Sequence, residues 1–362
     1  MAGIYIHIPF CRQACHYCNF HFSTNQDGKE NTLQAIVKEI ELTQPFDNSE
    51  VIDTIYFGGG TPSLLNAHEL NTILATAKKT FNVNPSAEIT LEANPDDISP
   101  AVLEGWLKLG INRLSLGVQS FNEAELKWMN RAHNASQSLQ SIDDIKAAGF
   151  LNFSVDLIYG SPLLSNEAFE KNVNIIIEKS IPHISCYALT VEEKTALHHL
   201  IEKKRSLPVD ELRQAEQFQL LLRLTEAAGY EQYEISNFSK PGFRSKHNSS
   251  YWQGKPYYGF GPSAHSYDGK NKRRWNIANN ALYVQSLEKN AIPFEEEVLT
   301  PTQQLNEYIM ISLRTMEGMD LNRIASEFGK DKEQVVEEAA QKFMDEKLLI
   351  KKERNISLTK EG

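Results

Sequence analysis

The sequence predicts an α/β protein. A large region of parallel strands covered by helices precedes a smaller, mainly helical C-terminal region. Three observations lead there. Through residue 189, short apolar strands alternate with helical stretches at the spacing of right-handed β-α-β units. The residues with the most chemical character are Cys11, Cys15, Cys18, the glycines at 58–60, Glu92, Gln119 and Tyr187. All fall at or just beyond the C-terminal ends of those strands, the end that carries the chemistry in α/β folds. At 362 residues the chain also exceeds the roughly 250–300 that one core usually serves, so a second, smaller domain is expected.

The first strand is expected over residues 4–8, where apolar residues alternate, with the cysteine loop directly after it. A helix over 31–42 follows from the apolar spacing of Leu33, Ile36, Val37, Ile40 and Leu42. Strands over 51–57, 89–93, 113–118, 153–159 and 183–189 alternate with helices over 69–81, 100–109, 123–130, 138–148 and 166–179. This pattern leaves a closed barrel and an open doubly wound sheet as alternatives. A helix over 211–228 ends the regular part. Residues 230–275 are rich in aromatics, Gly, Ser and Asn, carry Pro241, Pro256 and Pro262, and are expected to be irregular. Beyond Thr300, helices over 302–313, 321–328 and 332–346 precede a hairpin of 349–351 and 356–358, a winged-helix-like order. The expected partition is therefore 1–229, 230–299 and 300–362.

A net charge of −10 argues against general affinity for nucleic acid or anionic membranes. No cationic stretch followed by a long apolar run opens the chain, and no segment approaches the ~18 apolar residues of a membrane span. Four cysteines, three of them clustered, do not make a disulfide framework, and the expected setting is the reduced cytoplasm. Cys186, on an apolar strand, reads as a buried core thiol.

Cys11, Cys15 and Cys18 fall within eight consecutive residues. Three thiolates leave a tetrahedral zinc site one ligand short but suit a 4Fe–4S cluster with one iron open. The run Gly58-Gly59-Gly60-Thr61-Pro62 lets a backbone approach a ligand closely. Glu92 offers a carboxylate able to accept paired hydroxyls. Asp156 sits within an apolar strand, where an unpaired carboxylate is costly, so it calls for a partner or ligand.

The C-x3-C-x2-C spacing, with Tyr17 before the third cysteine, resembles the cluster motif of the radical S-adenosylmethionine (SAM) superfamily. Several stretches resemble, in order, the branch containing oxygen-independent coproporphyrinogen III oxidase. They are Ile6-His7-Ile8-Pro9-Phe10-Cys11, the glycine-Thr-Pro turn, Glu92, Gly117-Val118-Gln119-Ser120-Phe121, Asp156-Leu157-Ile158-Tyr159-Gly160 and Tyr233-Glu234-Ile235-Ser236-Asn237-Phe238. The resemblance implies a six-stranded partial barrel and a cluster on Cys11, Cys15 and Cys18, with SAM on the open iron. It also implies SAM contacts at Tyr5, Tyr17, Gly59, Gly60, Thr61, Glu92, Gln119, Arg131, Asp156 and Ala188. In that superfamily, one electron from the cluster cleaves SAM to methionine and a 5′-deoxyadenosyl radical.

Two departures stand out. The oxidase has a further cysteine two residues after the third cluster cysteine, where this chain has Phe20, and it has a long extension where this chain has Met1-Ala2-Gly3. Both departures fit the sister group, the HemW-type heme chaperones. Their His-Asn-x-x-Tyr-Trp motif stands here as His247-Asn248-Ser249-Ser250-Tyr251-Trp252. That resemblance implies heme held by His247, Asn248, Tyr251 and Trp252, with the imidazole as axial ligand and the aromatic faces stacked on the porphyrin. Arg244, Lys246 and Lys255 are expected at the propionates, and His265 is a weaker second ligand candidate. The implied partners are acceptor hemoproteins, respiratory ones among them, a reductant for the cluster, and transiently a membrane protein. No catalytic residue is assigned. The alternatives are the oxidase itself and a radical SAM enzyme on another substrate.

Overall fold

The computed structural model describes residues 2–47 and 49–362, so Met1 lies outside the described residues. Six parallel strands form the centre of the sheet: β1 (Ala2–Ile8), β2 (Ile52–Gly59), β3 (Val83–Ala93), β4 (Arg113–Gln119), β5 (Phe153–Tyr159) and β6 (His183–Ala188). Between and after them run α1 (Lys29–Leu42), α2 (Ala67–Thr80), α3 (Pro100–Leu109), α4 (Glu123–Trp128), α5 (Ala135–Ala147), α6 (Asn166–Glu178), α7 (Ala196–Glu202) and α8 (Glu211–Ala227). Local sequence sets the helix ends. Asn66 and Glu69 form a capping box at the start of α2. Ser99 caps α3 with Pro100 in its first turn, and Gly110 ends it in the left-handed conformation at φ 87°.

Side chains alternate across these strands. Ile4, Ile6, Ile8, Phe57, Leu91, Leu114, Leu116, Val155 and Leu157 enter the main core under the helices. The alternate residues, Tyr5, Tyr56, Glu92, Ser115 and Asp156 among them, face the concave lumen. β1 and β6 are not neighbours, so the barrel stays partial, as the family resemblance implied.

The expectation of an irregular stretch at 230–275 is corrected by the structure. β7 (Glu231–Glu234) and β8 (Asn237–Ser239) extend the sheet beyond β6. β9 (Tyr257–Phe260) lies parallel to β1, and β10 (His265–Tyr267), β11 (Lys272–Asn276) and β12 (Phe294–Val298) continue antiparallel beyond it. Strands of three to five residues show too few alternations to be read locally. They form because existing sheet edges supply their hydrogen bonds. α9 (Lys246–Trp252) and α10 (Asn280–Glu288) complete this region.

Glu39 ties the extension to the barrel. Its buried carboxylate accepts from the Gly261 N–H at 2.8 Å, from Asn276 Nδ2 at 2.7 Å and from the Tyr283 hydroxyl. Burial lifts its pKa to about 7 despite these donors.

α11 (Pro301–Leu313), capped by a Thr300–Gln303 box, opens the C-terminal part. β13 (Met319–Asp320), α12 (Leu321–Phe328), α13 (Lys330–Asp345), β14 (Leu349–Lys352) and β15 (Asn355–Leu358) follow. The three strands pair in the order β13-β15-β14, and a separate core of Leu305, Tyr308, Met319, Leu321, Ile324 and Ile356 lies beneath them. Among the described residues, no helix is long and apolar enough to cross a membrane.

Replacing Glu39 with alanine strands three buried donors at once. Glu39→Ala is expected to lower unfolding free energy by about 3 kcal/mol. Urea denaturation at neutral pH checks this.

Candidate cofactor site and the floor of the barrel

The cysteine loop leaves β1 through the buried Phe10 and is held from both sides. The Cys11 N–H donates to Ser23 O at 3.0 Å, and the His16 N–H donates to Met129 O at 3.1 Å. Gln13 Nε2 reaches Asn130 Oδ1 at 2.8 Å, and Asn130 Nδ2 returns to Ala14 O at 2.7 Å. The glycine turn after β2 fastens onto the same loop. The Gly60 N–H donates to Ile8 O at 2.9 Å, and the Thr61 N–H donates to Phe10 O at 2.7 Å. Only glycine fits at residue 60, because a Cβ there would lie 2.6 Å from Phe10 O.

Cys11, Cys15, Cys18, Tyr17, Gly59, Gly60, Thr61, Glu92, Gln119, Arg131, Asp156 and Ala188 line one cavity of about 430 Å³ at the strand ends. Tyr5 does not line it. Tyr5 lies one layer deeper, its hydroxyl 3.2 Å from His7 Nδ1 and its ring stacked on Tyr56 at 6.2 Å. Asn94 and Ser115 line the cavity without having been singled out, and Tyr187, expected at a strand end, lines it too. A period-two signal existed for Ser115. Arg113, Ser115, Gly117 and Gln119 alternate with Leu114, Leu116 and Val118, so one face of that strand is polar.

The donor set fits an iron–sulfur cluster. Thr61 Oγ1 donates to Cys11 Sγ at 3.3 Å, and Arg131 Nη1 donates to Cys15 Sγ at 3.3 Å. Among the described residues, His198, His199 and Glu202 are the trio of ligating side chains whose donor atoms all meet within 4.8 Å. The three sulfurs therefore do not converge on one ion. Thiolates that each hold a different iron of a cube stand farther apart than ligands of a single metal. Burial pushes the Cys11 thiol up to about 11 and raises Cys18 as well, so iron must displace thiol protons on binding.

Arg131 organises the wall beside the sulfurs. Its Nη2 donates to Asn94 Oδ1 and to Gly117 O, each at 2.7 Å, and its buried Nε has no partner among the described residues. Gln119, at the end of β4, takes a left-handed φ of 68°, a strained conformation for a residue with a side chain. Glu92 accepts from the Tyr56 hydroxyl at 2.8 Å. Burial, and then the nearby Asp156, push it up to about 8. Asp156, lifted by burial to about 6, accepts from Ser115 Oγ at 3.2 Å. Both carboxyls are thus short of compensating donors or cations, which suits an incoming ligand that brings hydroxyls and positive charge. SAM carries both.

The His-Asn-x-x-Tyr-Trp motif sits elsewhere. It forms α9, which closes the lumen at the opposite, N-terminal end of the strands. The Lys246 and His247 N–H groups donate to the Glu88 carboxylate at 3.2 and 3.1 Å. His247 is 1% exposed, its Nδ1 lies 2.8 Å from Thr54 Oγ1, and its Nε2 lies 2.9 Å from the Tyr251 hydroxyl. Its ring stacks on Tyr56 at 4.9 Å. Both ring nitrogens are thus engaged and the ring is buried among its neighbours. Asn248 is half-buried in the first turn of α9. Tyr251 turns its hydroxyl onto His247, and Tyr251 and Trp252 also line a separate cavity. Arg244, expected at a propionate, is paired with Glu231 at 3.3 Å and Glu317 at 2.7 Å. His265 is exposed and stacks on Trp275 at 6.0 Å. Cys186 is buried in the core.

The partial barrel with a three-cysteine loop at its strand ends defines a radical SAM protein, and residues 5–176 match the Radical SAM superfamily. Residues 299–362 match the HemN C-terminal domain. The chain is 32% identical to heme chaperone HemW of Bacillus subtilis (strain 168), covering 100% of this chain and 96% of that protein. It is 33% identical to heme chaperone HemW of Lactococcus lactis, covering 99% and 93%. It belongs to the HemW family. The solved coproporphyrinogen III oxidase (HemN) of Escherichia coli superposes with a TM-score of 0.86 at 23% identity, covering 99% of this chain and 87% of that one, a likeness of fold.

Gly60→Ala is expected to lower stability by roughly 1–3 kcal/mol through overpacking. It also displaces the Cys11 loop, so iron and sulfide per chain should fall after anaerobic reconstitution. The buried histidines predict acid sensitivity. Burial lowers His247 to about 3, His7 to about 4 and His133 to about 3. In the unfolded chain they take up protons near 6.5, so their stabilising share is complete above that pH and is lost as pH falls from 6.5 toward 3. The melting temperature should drop across that window, and His247→Gln should flatten the drop.

Proposed function

We propose that this chain is a heme chaperone that binds heme and delivers it to acceptor hemoproteins, respiratory ones among them. It would also hold a 4Fe–4S cluster on Cys11, Cys15 and Cys18, with SAM at the open iron. The observation that carries this reading is the match to HemW heme chaperones along the whole chain, cofactor cavity and C-terminal part together. When bound, the cluster and SAM supply one-electron chemistry drawn from an external reductant. The chain's own part is to grip and orient. Thr61 and Arg131 donate to cluster sulfurs, the backbone of Gly59 and Gly60 lies open to the SAM amino acid portion, Glu92 takes its ribose hydroxyls, and Asp156 and Gln119 bound the rest.

Phe20 supports a chaperone over the oxidase. It stands where the oxidase has its additional cysteine and is 65% exposed beside the cavity. No residue is assigned a catalytic role. Three thiols that must stay reduced to hold iron favour the cytoplasm, with transient contact to membrane-embedded acceptors.

The test is anaerobic and has two arms. Titration with ferric heme should give a saturable Soret shift, followed by transfer to an apo-cytochrome of b type. Incubation with coproporphyrinogen III, SAM and a reductant should leave the porphyrinogen unchanged. Absence of heme uptake, or catalytic formation of protoporphyrinogen, would overturn the proposal.

A further inference from the structure

We infer that α7 carries an exchangeable site for a divalent transition metal of the zinc class, held by His198, His199 and Glu202, and that a metal there braces the cluster loop. The site is separate from the cofactor cavity, which none of these three residues lines.

The helix brings the three donors together. Glu202 stands four residues after His198 and three after His199, so one carboxylate can meet both rings. Its Oε2 lies 3.7 Å from His198 Nδ1 and 3.2 Å from His199 Nδ1, and the three donor atoms all lie within 4.8 Å of one another. Thr195 caps α7 by accepting from the His198 N–H at 3.2 Å, which fixes the turn that carries both histidines. Ligands of a tetrahedral zinc stand about 3.3 Å apart, at bonds of about 2.0–2.1 Å. Small side-chain rotations therefore close the trio on one ion, and the exposed His199 and Glu202 have room to make them.

A surface ion pair alone does not account for the trio. Two ring nitrogens are aimed at one carboxylate oxygen, and His199 alone of the two reaches hydrogen-bond distance. His198 Nδ1 is buried with no hydrogen-bond partner among the described residues. A cation satisfies all three groups at once. Each neutral imidazole carries its one proton on Nε2 and offers the Nδ1 lone pair, and Glu202 supplies negative charge. Two imidazoles and one carboxylate suit zinc, and ferrous iron as well. Three protein ligands leave a position for water, and the exposed rim lets the ion exchange with the medium.

α7 lies where such an ion would matter. The Leu197 N–H donates to His16 O at 2.7 Å, between Cys15 and Cys18 in the loop. The Leu197 side chain is buried in a small core with Met129, Ile158 and Leu189, and Tyr17 and Trp128 pack against it. Beyond the helix, Trp128 Nε1 donates to Ser206 Oγ at 3.2 Å, while Trp128 O lies 2.7 Å from His16 Nδ1. The segment thus bears on His16 from both ends, directly through Leu197 and by way of Trp128 through Ser206. A metal joining residues 198, 199 and 202 ties the two turns of α7 together and stiffens what lies between those anchors.

Equilibrium dialysis of the anaerobically reconstituted, cluster-bearing chain against Zn²⁺ tests this. Wild type should take up one zinc per chain with no loss of iron. His199→Ala and Glu202→Gln should each weaken uptake about tenfold or more. His68→Ala, at an exposed histidine of α2, should bind as wild type does. Without zinc, all three variants should match wild type in iron content and melting temperature. Trypsin reads the brace, because Lys203, Lys204 and Arg205 are exposed directly after Glu202. With zinc at ten times its dissociation constant, cleavage there should slow about tenfold in wild type, as binding to the closed helix depletes the open form. In Glu202→Gln the same zinc concentration should leave the rate nearly unchanged. The inference is overturned if wild type takes up no zinc, if iron leaves as zinc enters, if His199→Ala and Glu202→Gln bind zinc as wild type does, or if bound zinc leaves the cleavage rate of wild type unchanged.

Discussion

Two backbone hydrogen bonds, Gly60 N–H to Ile8 O and Thr61 N–H to Phe10 O, fasten the end of β2 to the cysteine loop that leaves β1. Most of the cofactor cavity depends on that pairing. It sets where Cys11 emerges, it brings the Thr61 hydroxyl to the sulfur, and it leaves no room for a Cβ at residue 60. Burial raises the Cys11 and Cys18 thiols, so iron must displace protons there, and the loop must hold the sulfurs in place before iron arrives. Backbone bonds do this at no cost in side-chain entropy, and the contacts from residues 128–131 to His16, Gln13 and Ala14 hold the other side of the loop.

Below that pairing the lumen is filled in layers, and polarity changes with depth. At the mouth are sulfurs, Arg131 and the two lifted carboxyls. In the middle, Tyr5 and Tyr56 stack and pass hydrogen bonds to His7 and Glu92. At the floor, Glu88 receives the first N–H groups of α9 while His247 is locked to Thr54 and Tyr251. An acidic side chain at a helix N-terminus is favourable because it meets orphan donors and the positive end of the dipole. The floor is therefore closed by polar groups that satisfy one another. A barrel open at both ends would let water reach the cofactor cavity from below.

The sequence and the structure agree where a signal spans several residues and fail where tertiary partners supply it. The six central strands and the helices α1–α6 between them were readable because each carries its own apolar period, sharpened in α2 and α3 by caps. The grouping of Cys11, Cys15 and Cys18 was readable from spacing alone, and the residues named as SAM contacts from the family resemblance, Tyr5 apart, fall on the same cavity wall. The extension β7–β12 was not, since β10 has three residues and takes its bonds from β9 and β11. Ser115 was overlooked although its strand alternates polar and apolar residues. A parallel strand buried on both faces is usually apolar throughout, so a polar face within one marks a lumen. That alternation favours a curved sheet with a hollow side over a flat sheet packed on both sides, a distinction that strand order alone did not make.

His247 shows how far the surroundings of a motif residue depend on the fold around it. Residues four apart share a face of a helix, so His247 and Tyr251 meet, while the next residue, Trp252, projects differently. His247 and Ser250 are buried against the barrel, while Tyr251 and Trp252 reach the cavity beside the C-terminal part. His247 Nε2 and the Tyr251 hydroxyl lie 2.9 Å apart, and the two rings meet edge to face at 5.0 Å. The His247 ring stacks on Tyr56, whose hydroxyl donates to Glu92, so packed contacts run from α9 through the lumen to the wall of the cofactor cavity.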